Sequence, residues 1–455
     1  MTRRAVRAPS PLLLLGLIVV GVPLALLTYE SRRTGLSYRE ILGRISRKAA
    51  RDDRPAPPGN LAKGETIPFL APRPVGETPD EKSTISHVTV SDLDQDGLND
   101  ILLCDVLHQR VKWIRQSPRD EYAERLIGEE IAGPAHVETC DLDRDGDLDV
   151  MVSAMGMILP NNDKLGKVIL LENDGNEDFT THVSADKICR VTDVRCGDLD
   201  GDGDVDLAVG QFGYDQGEIR WMRNLGGWRY SSEILLSLSG TIHTPVADMD
   251  GDGDLDIVAL VSQEWEEVYG FDNDGRGGFR TRILYGVADD DYGSSGIAIA
   301  DLDSDGDPDI VWSNGDAFVA TDYRPMPSHG LQWLENTGNW AFAYHRLGDF
   351  PGAYDPDAAD MDGDGDLDVV AVSGFNYWDH LEAQSMMWWE NQGDGSFVGR
   401  DLAAAPTHLI TMALADMNGD GLPDAVTGSM NLYPPFDRIG RITLWINRWG
   451  AEGER

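Results

Sequence analysis

From residue 85 onward the apolar residues come in short runs, not in the long stripes of an amphipathic helix. One set of runs reads "HVTVS", "HVETC", "HTPVA" and "GIAIA"; a second reads "ILLCDV", "VMVSAM", "LAVGQF", "IVALVS", "IVWSN", "VVAVSG" and "AVTGS". They are rich in Val, Ile and Ala and too short for helices, so they predict β-strands. A tryptophan-bearing run follows: "VKWIRQ", "IRWMRN", "LQWLEN", "MMWWEN" or "ITLWIN". After several of these an Asn/Gly turn leads to an aromatic residue, as in "ENDGNEDF" and "ENTGNWAF", and a fourth run such as "RTRILYG" closes the unit. Asn and Gly tolerate positive φ, which is the chemistry of a hairpin.

The polar spacer between the first two runs of each unit is nearly constant. A nine-residue segment, D-x-[DN]-x-D-G-x-x-D, occurs seven times with starts 49 to 59 residues apart. Four strands per unit and seven units of this length predict an all-β, seven-bladed β-propeller. The residue before each segment is small (Ser91, Cys140, Gly197, Ala247, Ala300, Ala359 or Ala415), as an innermost strand requires where blades crowd together. The seventh unit ends after its third strand. The stretch at 64–72, "GETIPFLAP", is therefore expected to supply the missing outer strand and close the ring.

The segment places oxygen donors at positions 1, 3, 5 and 9. These are Asp92, Asp94, Asp96 and Asp100; Asp141, Asp143, Asp145 and Asp149; Asp198, Asp200, Asp202 and Asp206; Asp248, Asp250, Asp252 and Asp256; Asp301, Asp303, Asp305 and Asp309; Asp360, Asp362, Asp364 and Asp368; and Asp416, Asn418, Asp420 and Asp424. Alternate residues of a tight loop can converge on one centre, with Gly at position 6 for the turn, a backbone carbonyl at position 7 and the last Asp binding through both oxygens. Such an all-oxygen set suits Ca²⁺; Mg²⁺ prefers fewer protein ligands and zinc prefers Cys or His. An EF-hand would need Glu at position 12 and flanking helices. Position 12 here is Leu103, Val152, Val209, Ala259, Trp312, Ala371 or Thr427, and the flanks are strands. Up to seven structural Ca²⁺ ions are expected, with the loop holding the neutral Asn418 the weakest.

On these seven loops and the "W-x-x-N-x-G" turns, the chain resembles the FG-GAP/VCBS repeat family, whose propellers include the integrin α-subunit head. The resemblance spans roughly residues 64–447. It implies that each loop joins the first and second strands of a blade and holds Ca²⁺ through positions 1, 3, 5 and 9.

Composition adds a charge argument. Against 38 Lys and Arg stand 79 acids, a formal charge of −41, which excludes a phosphate-binding nucleic-acid partner. With 41% hydrophobic residues the chain is not a disordered acidic tail. Such charge repels itself, and bound cations would relieve it. At the N-terminus three arginines precede an apolar run from Pro11 to Tyr29, long enough for a bilayer core. The organisation expected is a signal-anchor over 1–29, a basic and Pro-rich tether over 30–62, the propeller over 63–449 and a tail over 450–455. The second reading is a cleaved signal peptide and a secreted chain. Either way the propeller is expected outside the cytoplasm. Cys104, Cys140, Cys189 and Cys196 form no metal or redox motif and are read as buried thiols, with one or two disulfides as the alternative.

Function is sought on the face opposite the acid loops. The loops leaving the second strands vary in length, and "GMILPNNDKLG", "NGDAFVATDYRPMPSHG", "GFNYWDHLEAQS" and "NLYPPFDRIG" are rich in polar and aromatic residues. Variable loops on a rigid ring suit a protein or glycan ligand. On the same face, five residues before each acid segment, stand His87, His136, Asp193, His243, Gly296, Asp355 and Thr411, with Glu138, Arg195 and Asp357 two positions deeper. His87, His136, Asp193, His243 and Asp355 form a candidate axial site for a transition metal or acid–base chemistry, against the plainer reading of a polar channel lining. No GxSxG, HExxH or P-loop motif is present. A binding scaffold is thus the first reading, an extracytoplasmic enzyme acting on a polysaccharide the second, and a structural spacer the third.

Overall fold

Each strand type is buried to the degree its composition predicts. The second strand is buried at every position in all seven units: Asp100–Asp105, Asp149–Ala154, Asp206–Phe212, Asp256–Val261, Asp309–Asn314, Asp368–Ser373 and Asp424–Ser429. A strand reads as continuously apolar when both faces of its sheet are covered, here by the blades on either side. The computed structural model describes residues 31, 38–39, 41–42, 72–78, 84–158, 161–213, 215–263, 266–287, 292–318 and 323–449. The expected anchor over 1–29, nearly all of the 30–62 tether and the 450–455 tail lie outside these residues. No helix among the described residues is long and apolar enough to cross a membrane.

Seven antiparallel sheets make seven blades. Blade 1 runs Ile85–Ser91, Asp100–Asp105, Arg110–Gln116 and Tyr122–Ile127 from the axis outward. Blades 2, 3, 5 and 6 repeat that order with innermost strands Pro134–Cys140, Arg190–Gly197, Ser294–Ala300 and Ala353–Ala359. In blade 4 the innermost strand is split into Thr241–His243 and Val246–Ala247. Pro245 lies in the gap and has no N–H for the ladder. Blade 7 takes Leu409–Ala415, Asp424–Ser429 and Ile442–Trp445 from the C-terminus.

The fourth strand of blade 7 does come from the other end of the chain. It is Arg73–Pro74, paired antiparallel with Leu444 and Thr443, and the Val75 N–H extends the ladder to the Ile442 carbonyl at 3.2 Å. The closing strand therefore begins just past the expected 64–72 segment, of which only Pro72 is described. It is short because Pro74 cannot donate, which confines it to an edge. Side chains secure the seam. Arg441 reaches Glu124 of blade 1 at 2.6 and 2.7 Å, and Lys112 reaches the same carboxylate at 2.9 Å.

The core lies between blades. Seven apolar clusters each span two neighbours, and one joins Ile85, Val88, Ile101 and Leu103 of blade 1 to Met417, Val426, Ile442 and Leu444 of blade 7. Position 2 of every acid segment (Leu93, Leu142, Leu199, Met249, Leu302, Met361, Met417) is buried in these seams. A disulfide, Cys140–Cys196, ties the innermost strands of blades 2 and 3, while Cys104 and Cys189 are buried free thiols. The all-thiol reading is corrected for the first pair.

Candidate functional site

Three places carry chemistry: the acid loops, the axial mouth on the opposite face, and the aromatic loops around that mouth. Each acid loop joins the first and second strands of its blade. The position-6 glycines (Gly97, Gly146, Gly203, Gly253, Gly306, Gly365, Gly421) have φ between 85° and 103°. A Cβ at most of them would meet nothing, so backbone conformation is what requires glycine there. The carboxylates hold the loop in shape. The position-5 Oδ1 accepts the position-7 N–H in all seven loops, from Asp96–Leu98 to Asp420–Leu422, at 2.9–3.0 Å.

The last Asp is buried in every loop and is a structural residue in its own right. Its Oδ1 accepts the backbone N–H of Gln116, Asn173, Asn224, Asn273, Asn336, Asn391 or Asn447, at the end of the third strand, at 2.7–2.9 Å. In five loops Oδ2 accepts the position-2 N–H at 2.9–3.0 Å. A carboxylate oxygen has a second lone pair, so these bonds leave room for a cation. Burial pushes the carboxyl of Asp100, Asp256, Asp309 and Asp368 up to about 7, and that of Asp149, Asp206 and Asp424 up to about 6; neighbouring acids add to the rise.

Oxygens of positions 1, 3 and 9 lie within 4.8 Å of one another in the loops of Asp141, Asp248 and Asp301; in those of Asp92 and Asp198 the clustered positions are 1, 3 and 5. Asp141 Oδ1 and Asp250 Oδ1 are buried carboxylate oxygens with no hydrogen-bond partner. Hard, partly desolvated oxygens of this kind fit a hard divalent cation.

The third-strand asparagine, read from sequence as a hairpin residue, is the part that reasoning undervalued. Besides its N–H bond to the last Asp, its Oδ1 accepts the N–H two residues on, as Asn224 does from Gly226 at 2.9 Å. Its Nδ2 donates to the position-2 carbonyl of the preceding blade: Asn273 to Leu199, Asn336 to Met249, Asn391 to Leu302 and Asn447 to Met361, at 2.7–2.8 Å. Gln116 does the same toward Met417 at 3.2 Å, across the closure. Its recurrence at the end of six of the seven third strands, with Gln116 in the other, was the available signal.

At the axial mouth every innermost strand shifts register near the predicted position. A bulge re-aims a side chain, here toward the axis. His136 Nδ1 lies 3.2 Å from Asp193 Oδ1, and His243 Nδ1 lies 3.8 Å from Asp193 Oδ2. His87 packs on His136 with ring centroids 3.9 Å apart. His243 Nε2 donates to the Ser295 carbonyl at 3.3 Å, which fixes its tautomer. Asp355 acts on Arg195 and Asp193 through its charge. It accepts the Met412 N–H at 2.7 Å, and Asp357 accepts that of Leu414 at 3.0 Å, both in blade 7. Arg195 donates to Asp193 at 3.0 Å and pairs with Glu138. Burial, reinforced by Arg195, lowers His243 to about 4 and holds His87 well below the ordinary range; His136 is lowered by burial and by His87. Burial thus holds these imidazoles neutral, beside a guanidinium that faces the carboxylates of Asp193 and Glu138.

Around that mouth the long loops of blades 5, 6 and 7 build an aromatic platform. The buried Phe375 ring contacts Phe318, Tyr323, Tyr354 and Tyr433 at centroid distances of 5.1 to 6.3 Å. Tyr323 stacks on Tyr433 at 5.6 Å. The Tyr433 hydroxyl donates to the Asn376 carbonyl at 2.7 Å and accepts its N–H at 2.9 Å, which fixes the ring. Phe318, Tyr323, Tyr377 and Leu381 are exposed, and so are Leu107, Met157 and Leu165 in the corresponding loops of blades 1 and 2.

Residues 92–152, 198–259 and 248–312 match the FG-GAP-like repeat. No curated protein matches the sequence. Among solved structures, the chain is similar to BBS1N, crystallised with ARL6DN and soaked with lead, at 9% identity and a TM-score of 0.51 over 84% of this chain and 97% of that one. It is equally similar to selenomethionine-substituted virginiamycin B lyase from Staphylococcus aureus, at 9% identity and a TM-score of 0.51 over 83% of this chain and 99% of that one. At such identity the likeness speaks to the fold alone.

Proposed function

We propose, from the premise that this chain belongs to the FG-GAP/VCBS repeat propeller family, that it is an extracytoplasmic, calcium-stabilised scaffold that captures a protein or glycan on the face opposite its acid loops. The propeller supports a protein-binding module in general terms. The observation that carries the finer reading is the aromatic platform of Phe318, Tyr323, Phe375 and Tyr433, drawn from three blades and partly exposed. Rigid aromatic faces supply large contact area at little entropic cost. Stacking within the platform holds them in place before any ligand arrives. The Cys140–Cys196 bond supports a location outside the cytoplasm, because disulfides persist in oxidising compartments. The apolar run over 11–29 supports a membrane tether.

The second reading, an enzyme, rests on the His136–Asp193–His243 group. Anomalous scattering from a metal at the axis would favour it. The direct test of the first reading is capture of the full chain on protein and glycan arrays, with Tyr323→Ala/Tyr433→Ala as the control. Wild-type capture lost in the double variant is expected. Capture that survives the variant overturns the assignment of this face.

A further inference from the structure

The seven acid loops are not electrostatically equivalent, and the difference lies one residue before the third-strand Asn or Gln. Blades 2, 4, 5 and 6 carry an acid there: Glu172, Asp272, Glu335 and Glu390. Each acid turns to a basic side chain on its own fourth strand: His182, Arg282, His345 and Arg400 respectively. Blades 1 and 3 carry Arg115 and Arg223 instead. These turn the other way, into the acid loop. Arg115 Nη2 lies 2.5 Å from Asp94 Oδ2 and 3.5 Å from Asp96 Oδ2. Arg223 lies 2.5 Å from Asp200 Oδ2 and 2.8 Å from Asp202 Oδ2.

The oxygens chosen are the informative detail. In both loops the Oδ1 atoms of positions 3 and 5 already accept loop backbone N–H groups. The Oδ2 atoms are free of those backbone bonds, and the guanidinium lies against them. Arg115 is also held from the far side, by Glu177 of blade 2 at 3.1 Å. A guanidinium is always charged and its fork matches paired carboxylates. We infer that Arg115 and Arg223 are built-in cations that take the place of calcium in blades 1 and 3, so that only the remaining loops call for metal.

This rests on the calcium reading of the loops, and the experiment separates the two. Bound calcium is counted by elemental analysis of the purified full chain after dialysis to saturation, for wild type, Arg115→Gln and Arg223→Gln. Seven loops less the two arginine-filled ones leave five ions in wild type, and each variant gains one. Seven ions in wild type, or a count that neither variant raises, overturns the arginine inference while the calcium reading stands. No bound calcium in wild type removes the calcium reading itself, and this inference with it.

Discussion

At the scale of the residue, a group's role follows from what is left of its valence after the fold has used it. The last Asp of each loop spends lone pairs on backbone N–H groups, as Asp256 does on Met249 and Asn273. Each such bond satisfies a buried donor that would otherwise cost about 1–3 kcal/mol. The axial histidines follow the same logic with the sign reversed. An ordinary imidazole titrates near 6.5, and burial beside Arg195 takes His243 to about 4. The folded value is the depressed one, so below pH 6.5 the unfolded chain binds the proton first. The contribution of His243 to stability is therefore complete above that pH and lost as the pH falls toward about 4. An NMR titration should show His243 neutral at pH 5.5; a midpoint near 6.5 would contradict its placement.

At the scale of the element, every seam between blades carries an apolar cluster, and five also carry a bond from a third-strand side chain to the neighbour's loop. The seam between blades 7 and 1 differs because it must also close the ring. There the Arg441 and Glu124 side chains are 6% and 1% exposed and bonded to each other. Removing Arg441 takes away two bonds to a carboxylate that Lys112 still reaches. Arg441→Ala should cost about 1–3 kcal/mol in denaturant unfolding, beyond the same change at the exposed Arg276. Equal effects would show that the seam does not depend on this pair. Much at this scale was legible in sequence: the small residue on each innermost strand, the buried second strand and the tryptophan strand all lie where the repeat put them. The exact closing strand was not, because Arg73–Pro74 is two residues long and carries no strand pattern. Neither were the register shifts that aim His87, His136 and His243, since a bulge is a backbone event that leaves no fixed composition. Arg115 and Arg223 stood in plain view, but their direction depends on which partner the fourth strand offers.

At the scale of the whole molecule, the propeller separates two tasks. One face gathers carboxylates, and in a chain of net charge −41 that concentration opposes folding unless cations are supplied. Two of these are arginines within the chain; the rest would be calcium ions, each offsetting two charges. The other face displays the aromatic loops and takes no part in that balance. The repeat made the first face readable, since seven copies of one loop average out chance. The second face does not repeat, so its platform could be read only once Tyr323, Phe375 and Tyr433, from three blades, were seen stacked together. Metal dependence of the ring is the claim on which the rest depends. A site saturated at 100 times its Kd contributes about 2.7 kcal/mol, so stripping several should lower Tm by more than about 10 °C. Thermal melting of the full chain in saturating calcium and in excess EDTA tests this directly. The account predicts a large fall in EDTA that added calcium reverses, and an unchanged melting temperature would contradict it.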